Sequence, residues 1–419
     1  MPRHCAINTF FNDMMGGYII GPYLNEYYNG HDDEFHRQVA DVDARIQLVM
    51  DLGRGKLLKV FPYTVNGNTT WYAPTDIMPD SAVAPADRQY MQNVFSLIYQ
   101  EALAGNMTSV GNIADKMLRY QHKNGGSSLP SGVQTRAERL YNTVPFATIL
   151  FMLNLGMGFA TLFAVLWLMT RPTKRTLRGS MLMKIAAAVM LLSFAALTLC
   201  VALRWLIRGT APMANGYETM LLMAWIIMTA SLLLCRRFAI VLTFGFIMSG
   251  FFLLVSHISQ MDPQITHIMP VLQSPLLSIH VSVIMTAFAL LSLTFICGIT
   301  ALLLRAMRGS RDAELASQLA ALRALSQLFY YPAMAALAVG IFVGAVWANV
   351  SWGTYWSWDA KEVWALITFM VYAAAAHGTS LPMMRRPMPW HVFMVAAFAT
   401  ILMTYFGVNY FLGGMHSYA

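Results

Sequence analysis

Residues 146–170 read FATILFMLNLGMGFATLFAVLWLMT, a run of 25 residues without a charged side chain. A helix needs about 20 apolar residues to cross the hydrocarbon core of a bilayer. Seven more apolar stretches of this kind follow along the chain. The eight predicted spans are 146–170, 181–203, 216–234, 238–257, 277–304, 328–348, 362–380 and 390–410. They predict an all-α polytopic membrane protein with about eight transmembrane helices.

The residues before this first run have a different composition. The chain has 419 residues, of which only 11% are charged, whereas a soluble domain carries about 25%. Residues 1–145 hold 12 basic and 14 acidic residues, and residues 146–419 hold 16 basic and 6 acidic residues. The basic excess therefore belongs to the apolar part, where it reports orientation in a lipid membrane and not a nucleic-acid partner. We predict two domains, 1–145 and 146–419.

Basic residues alternate between the connections of the predicted spans. They concentrate at 171–178, 236–237, 305–323 and 385–386, while the remaining connections carry few. Since positively charged loops stay in the cytoplasm, these four connections are predicted to be cytoplasmic. The protein is then a multi-pass protein of the cytoplasmic (inner) membrane, and both termini and the first domain face outward, into the periplasm.

The outward domain is predicted to be mostly helical, over 31–52, 85–104 and 107–122. Its histidines, His31, His36 and His122, stand among polar neighbours and are expected to be solvated. The start of the chain has no apolar core of a signal peptide. We therefore expect the chain to be the back part of a longer polypeptide, whose upstream spans place this domain outside.

The densest aromatic cluster lies in residues 351–364, SWGTYWSWDAKEVW, before the seventh predicted span. It contains four of the ten tryptophans. An interfacial aromatic belt is one interpretation, because tryptophan prefers the headgroup level. Four tryptophans around a glycine favour instead a platform for a large, flat, apolar ligand. Asp359 and Glu362 also have the spacing of a capping box that starts the seventh span.

Three histidines lie at positions of interest. His280 opens span five and His416 follows span eight, both at the outer level. Each alone is typical of an interface histidine, but together they can supply both axial ligands to one iron. His377 lies 14 residues past Val363, about 21 Å deeper in the membrane. Ionisable groups at that depth are usually functional, and a helix–helix hydrogen bond is the alternative.

These residues resemble a known family. The run 352–364 resembles the tryptophan-rich WWD signature of heme-handling proteins. Other segments resemble the cytochrome c biogenesis protein CcsA (ResC), closely over residues 200–419 and by pattern over 146–200. Residues 71–74 and 141–142 resemble, more weakly, the outward region that precedes CcsA in fused forms with CcsB. The segments that resemble CcsA are 204–219, 272–281, 407–410 and 416–418.

The resemblance implies where heme binds. In such proteins a WWD loop, here 349–364, holds heme b (iron protoporphyrin IX) at the outer face, with two flanking histidines as axial ligands. His280 and His416 match these ligands. His377 matches a membrane histidine of an earlier heme station, whose opposing ligand belongs to a CcsB (ResB)-like partner or fused half. The loop side chains expected to contact heme are Trp352, Trp356, Trp358, Asp359 and Trp364.

The function that the resemblance implies is transport of heme outward and its presentation for covalent attachment to the CxxCH segment of apocytochrome c. The chain would be the heme-handling part of a holocytochrome c synthetase, a thioether-forming lyase. Its four cysteines form no CxxC, so a separate thiol-reducing partner is expected. Arg204 and Arg208 lie on the outer side, either as partners of the heme propionates or as solvated flanking charges.

Other interpretations of the same residues remain open. A heme exporter of the CcmC type would share the tryptophan loop and two outer histidines without forming thioethers, and a scaffold protein would need no histidine pair. His391 opens span eight on the cytoplasmic side and is interpreted as interfacial.

Overall fold

The computed structural model of the chain separates into two units by their internal contacts, Met1–Ser131 and Gly132–Ala419. The predicted boundary at residue 145 lies inside the second unit, because helix Gly132–Thr143 packs against helix Met181–Arg208. The structure describes residues 6–12, 17–31, 33–78, 85–170, 181–213, 215–257, 264–265, 274–308, 313–378 and 380–412.

The first unit is mostly helical, and its three predicted helices are confirmed. It also contains two short hairpins that the hydrophobic pattern did not predict. In the second hairpin Asn66 and Gly67 have φ values of +50° and +82°, the left-handed backbone that a tight two-residue turn requires. The elements are β1 (Phe11–Asn12), β2 (Gly17–Tyr18), α1 (Gly21–Tyr28), α2 (Glu34–Gly53), β3 (Phe61–Val65), β4 (Asn68–Tyr72), α3 (Pro85–Leu103) and α4 (Met107–Asn124).

One histidine of this unit is not solvated, contrary to prediction. His36 is only 8% exposed, and its ring lies between two carboxylates. Nδ1 is 2.7 Å from Oδ1 of Asp33, and Nε2 is 3.0 Å from Oε2 of Glu26. The hydrogen bond to Glu26, and then that to Asp33, raise the pKa of His36. His36 thus ties α2 to α1 through partly buried hydrogen bonds.

The second unit contains the membrane-spanning helices. Among the described residues seven helices, α6 to α11 and α13, are long and apolar enough to cross a bilayer. Its helices are α5 (Gly132–Thr143), α6 (Phe146–Thr170), α7 (Met181–Arg208), α8 (Gly216–Leu234), α9 (Ile240–His257), α10 (Pro275–Arg308), α11 (Ala313–Trp352), α12 (Ala360–Ala374) and α13 (Pro387–Leu402). Wider π-helical turns continue α13 over Met403–Leu412.

The predicted span 362–380 forms a shorter helix than expected. Helix α12 has 15 residues, which at 1.5 Å per residue is about 22 Å, less than the roughly 30 Å of a hydrocarbon core. It starts at the predicted capping box and ends at Ala374, before Gly378 and Pro382. The protein is an all-α polytopic membrane protein with seven long apolar helices and this shorter one.

Helices α9 and α10 form the centre of the second unit. In both, 72% of the most apolar window is buried, against 28% in α6, α7 and α11. Helices α6, α7 and α11 therefore leave most of their apolar surface to contact lipid, while α10 packs against α8, α9, α11 and α13. Helix α10 is therefore the central helix against which the other helices of the unit pack.

Glycine contacts bring α6 and α9 together on both sides of one interface. A Cβ at Gly158 of α6 would lie 3.0 Å from the backbone nitrogen of Ile247. A Cβ at Gly250 of α9 would lie 2.9 Å from the backbone nitrogen of Leu155. Small residues of this kind let membrane helices approach closely, and here each glycine faces the partner's backbone.

We predict that Gly158→Val destabilises the protein, because the added side chain meets backbone that cannot rotate away. The expected loss is about 1–3 kcal/mol, measured as a lower midpoint of thermal unfolding in detergent. Gly156→Ala is the matched control on the same helix, since a Cβ there meets nothing within 4 Å. An unchanged midpoint in Gly158→Val would show that α6 and α9 do not pack this closely.

Candidate functional site

The tryptophan loop joins α11 to α12 through strained backbone. Gly353 has a φ of +79°, which glycine adopts readily. Trp358 has a φ of +58°, a left-handed conformation that is a rare outlier for a bulky residue. Such strain persists only where the surrounding structure enforces it. The loop is therefore held in one conformation by contacts, which Glu362 and Asp359 provide.

The carboxylate of Glu362 closes the loop from the first turn of α12. Its Oε2 accepts hydrogen bonds from the backbone nitrogen of Ser357 at 2.8 Å, from Ser357 Oγ at 3.3 Å and from the backbone nitrogen of Asp359 at 3.3 Å. Asp359 caps the same helix, so the predicted capping box is confirmed. One carboxylate thus holds the backbone on both sides of Trp358.

The loop presents aromatic rings at its surface. Trp358 is 74% exposed and Tyr355 is 60% exposed. Trp352, Trp356 and Trp364 are half-buried, and the Trp356 and Trp358 rings meet edge to face with centroids 5.9 Å apart. An exposed indole fixed by strained backbone is suited to contact a flat apolar partner.

His280 lies in the first turns of α10, against α11. Its Nδ1 is 2.8 Å from the backbone oxygen of Gly340, and this oxygen can only accept. The proton is therefore on Nδ1, and the lone pair of the neutral ring is on Nε2, the state in which Nε2 ligates a metal. The ring also lies over Gly344, where a Cβ would be 2.5 Å from Cε1 of His280.

The second predicted outer ligand, His416, lies outside the described residues. The segment that leads toward it is described up to Leu412, and two side chains fix it. Tyr405 Oη is 2.6 Å from Oγ1 of Thr219 on α8, and Thr404 Oγ1 donates to the backbone oxygen of Trp364 at 3.1 Å. The π-helical segment is thereby joined to both α8 and the start of α12.

The two remaining histidines of interest, His377 and His391, differ in their surroundings. His377 lies three residues past the end of α12 with an exposed side chain, and its backbone oxygen accepts from the nitrogen of Leu381 at 2.7 Å. His391 is fully buried. Its Nε2 donates to the backbone oxygen of Leu319 at 3.3 Å. The structure therefore leaves His377 accessible to a ligand and encloses His391 in protein.

A buried charge cluster lies where α7 ends and α8 begins. Arg204 donates from Nε and Nη2 to Oε1 of Glu218, at 3.1 and 2.8 Å, and from Nη1 to Tyr141 Oη at 2.6 Å. Arg208 donates from Nη1 to Oε2 of Glu218 at 2.6 Å. Neither arginine is a solvated flanking charge. The sequence placed both on the outer side but gave no sign that Glu218 joins them.

Comparisons with known proteins show that the chain is similar to cytochrome c biogenesis proteins. The family described as Cytochrome C assembly protein matches residues 213–416. Protein NrfI of Wolinella succinogenes is 30% identical over 403 residues, which cover 92% of this chain and 42% of NrfI. CcsA of Chlamydomonas reinhardtii is 31% identical over 233 residues, 53% of this chain and 65% of that protein.

A third relative is covered more completely by this chain. The cytochrome c biogenesis protein CcsA of Synechococcus sp. (strain CC9311) is 34% identical over 264 residues, 53% of this chain and 84% of that protein. The chain spans less than half of NrfI and just under two thirds of the Chlamydomonas protein. The match to CcsA proteins covers about half of the chain, whereas that to NrfI covers nearly all of it.

We predict that Glu362→Ala releases the tryptophan loop. The substitution removes the acceptor of three hydrogen bonds, each worth about 1 kcal/mol. Amide hydrogen exchange at Ser357 and Asp359 should then be at least tenfold faster. Glu362→Gln, which keeps one side-chain oxygen as an acceptor, is the matched control and should show a smaller change. Equal exchange in all three proteins would contradict the role of Glu362.

Proposed function

The chain belongs to the CcsA family of cytochrome c biogenesis proteins, and from this premise we propose that it carries heme to the outer face of the membrane and presents it there for covalent attachment to apocytochrome c. The observation that carries the proposal is the hydrogen bond of His280 to Gly340. It orients the imidazole and assigns the lone pair to Nε2, as metal-ligating histidines require. Heme b is the substrate and cargo here.

In the proposed outer site, His280 and His416 ligate the heme iron. The ring faces of Trp352, Trp356, Trp358 and Trp364 contact the porphyrin, and Asp359 acts by capping α12 beneath the loop. The anchoring of Tyr405 to Thr219 and of Thr404 to Trp364 supports this site, because the segment leading to His416 starts beside the tryptophan loop. Two neutral imidazoles are suitable axial ligands here, because one of them must later be exchanged for the histidine of the apocytochrome.

The proposed inner station uses His377. Its exposed position past α12 supports contact with a ligand brought by a second protein. The opposing histidine would come from a CcsB (ResB)-like partner or a fused half. We further propose that the protein lies in the cytoplasmic (inner) membrane with both termini outside, since the basic connections 236–237 and 385–386 then remain in the cytoplasm.

The attachment step adds two thiols to two double bonds. Each cysteine of the apocytochrome CxxCH segment adds its sulfur and its proton across one heme vinyl group, and a thioether forms without net oxidation. The protein orients the substrate and keeps it bound while the CxxCH histidine replaces one axial imidazole. Cys200 and Cys297 are buried, so we assign reduction of the substrate thiols to a separate thiol-reducing partner.

We predict that His280→Ala and His416→Ala lose covalent attachment of heme. The measurement is heme stain on an apocytochrome c co-expressed with the full chain and a CcsB-like partner, alongside the spectrum of the purified chain. Undiminished stain in both variants would contradict the ligand assignment. Heme in the spectrum with no stain in the wild type would indicate an exporter of the CcmC type. His377→Ala should reduce heme loading at unchanged protein level.

We also predict that Gly344→Ala weakens heme binding by about tenfold to a hundredfold, the usual effect of disturbing the support of a metal-ligating histidine. The added methyl group meets the His280 ring, which must move. Gly156→Ala is the control, because a Cβ at Gly156 meets nothing within 4 Å. Titration of both variants with heme, followed by absorbance, tests this. Equal affinity in the two variants would contradict it.

A further inference from the structure

The cluster formed by Arg204, Arg208 and Glu218 contains two positive charges and one negative charge. All three side chains are buried, with exposed fractions of 1%, 7% and 1%. A buried charge is stable only when it is paired and hydrogen-bonded. Among the described residues, these three side chains share one carboxylate between two guanidinium groups and so carry one net positive charge, which favours an anion.

The two arginines are not equally engaged. All three nitrogens of the Arg204 guanidinium donate to Glu218 or Tyr141, and its plane also lies over the Tyr217 ring. Arg208 gives one hydrogen bond, from Nη1 to Glu218. Its Nε is buried and has no hydrogen-bond partner among the described residues. Arg204 is therefore structural, and Arg208 keeps a donor for a ligand.

The helix dipoles at the end of α7 and the start of α8 do not neutralise the excess positive charge of the cluster. Arg208 is the last residue of α7, where the helix dipole favours a positive charge. Glu218 is in the first turn of α8, where the dipole favours a negative charge. The two dipoles stabilise charges of opposite sign, so the net charge of the cluster stays positive.

The cluster is connected to the end of α10 that carries His280. The connection between α7 and α8 begins at Gly209, with a φ of +78°, and includes Met213. Met213 Sδ accepts a hydrogen bond of 2.8 Å from Ser282 Oγ, and Ser282 lies two residues after His280. Thr219, the neighbour of Glu218, binds Tyr405 of the segment that leads to His416. The cluster thus adjoins both parts of the chain that supply the proposed iron ligands.

We propose that Arg208 binds a carboxylate of the substrate heme, a propionate group, through the guanidinium edge that carries Nε. This inference rests on the proposed function and adds to it the anchor for the charged edge of the porphyrin. Arginine and carboxylate match in geometry, and a charge-assisted pair of hydrogen bonds also fixes orientation. Heme held at its iron and at one propionate cannot rotate in its plane, so its vinyl groups face a constant direction.

The test compares two ligands on the full chain purified in detergent, iron protoporphyrin IX and its dimethyl ester. Esterification removes the propionate charges and leaves the iron and the ring unchanged. The wild type should bind heme at least tenfold more tightly than the ester. In Arg208→Gln, heme affinity should fall to that of the ester, while ester affinity stays the same. Arg139→Gln, an exposed arginine of α5, is the matched control and should retain the preference.

The possible outcomes distinguish a failure of this inference from a failure of the proposed function. Equal binding of heme and ester by the wild type overturns the inference while the heme-carrier function stands. An equal loss of both ligands in Arg208→Gln also overturns it, since that pattern indicates damaged packing. Failure of the wild type to bind either porphyrin overturns the proposed function itself. Arg208→Lys keeps the charge and can still pair with Glu218, so an intermediate preference is expected if Arg208→Gln fails to fold.

Discussion

The close approach of α10 and α11 is the constraint on which the positions of His280 and the tryptophan loop depend. Gly340 and Gly344 lack the side chains that would otherwise separate the two helices. Ile284 occupies the space beside Gly340, and the His280 ring occupies the space beside Gly344. The backbone oxygen of Gly340, at this interface, accepts a hydrogen bond from His280 Nδ1 and so fixes the tautomer of the imidazole. Packing and ligand chemistry are therefore set by one interface, and α11 then leads directly into the tryptophan loop.

Polar contacts inside the second unit follow the rules of a low-dielectric interior. Asn154 of α6 donates to Ser249 of α9 and accepts from Ser193 of α7, so three helices meet at one fully buried amide. Glu218 joins α7 and α8 in the same way, but with charges. The neutral junction has every group paired, whereas the charged one keeps an excess positive charge at the outer end. This difference is the reason for the binding role that we propose for the charged cluster.

Much of the fold was predictable because lipid leaves few choices. Every backbone polar group in the bilayer must be bonded within the protein, so long apolar runs become helices. Seven of the eight predicted spans form helices long enough to cross a bilayer, and the eighth forms the shorter α12. The capping box at Asp359 was predictable because its residues are local. The burial of His36 and His391 was not, because their partners Glu26 and Leu319 lie 10 and 72 residues away.

The short helix α12 and the charge cluster also could not be predicted from the sequence. Hydropathy registers composition, and it cannot tell that α12 stops at Ala374 while apolar residues continue. It likewise places Arg204, Arg208 and Glu218 near a membrane surface, but their pairing depends on how α7 and α8 pack. The tryptophan density pointed to the loop, and only the structure gave its conformation.

The left-handed backbone at Trp358 has a consequence for how this loop evolves. A chain selected for folding alone would place glycine at position 358, because a bulky residue there costs about 1–3 kcal/mol. An indole kept at that position, and left 74% exposed, contributes nothing to the core that would offset the strain. The strained backbone is held instead by the hydrogen bonds of Glu362 on both sides of Trp358, and the exposed indole is left for the partner that we propose.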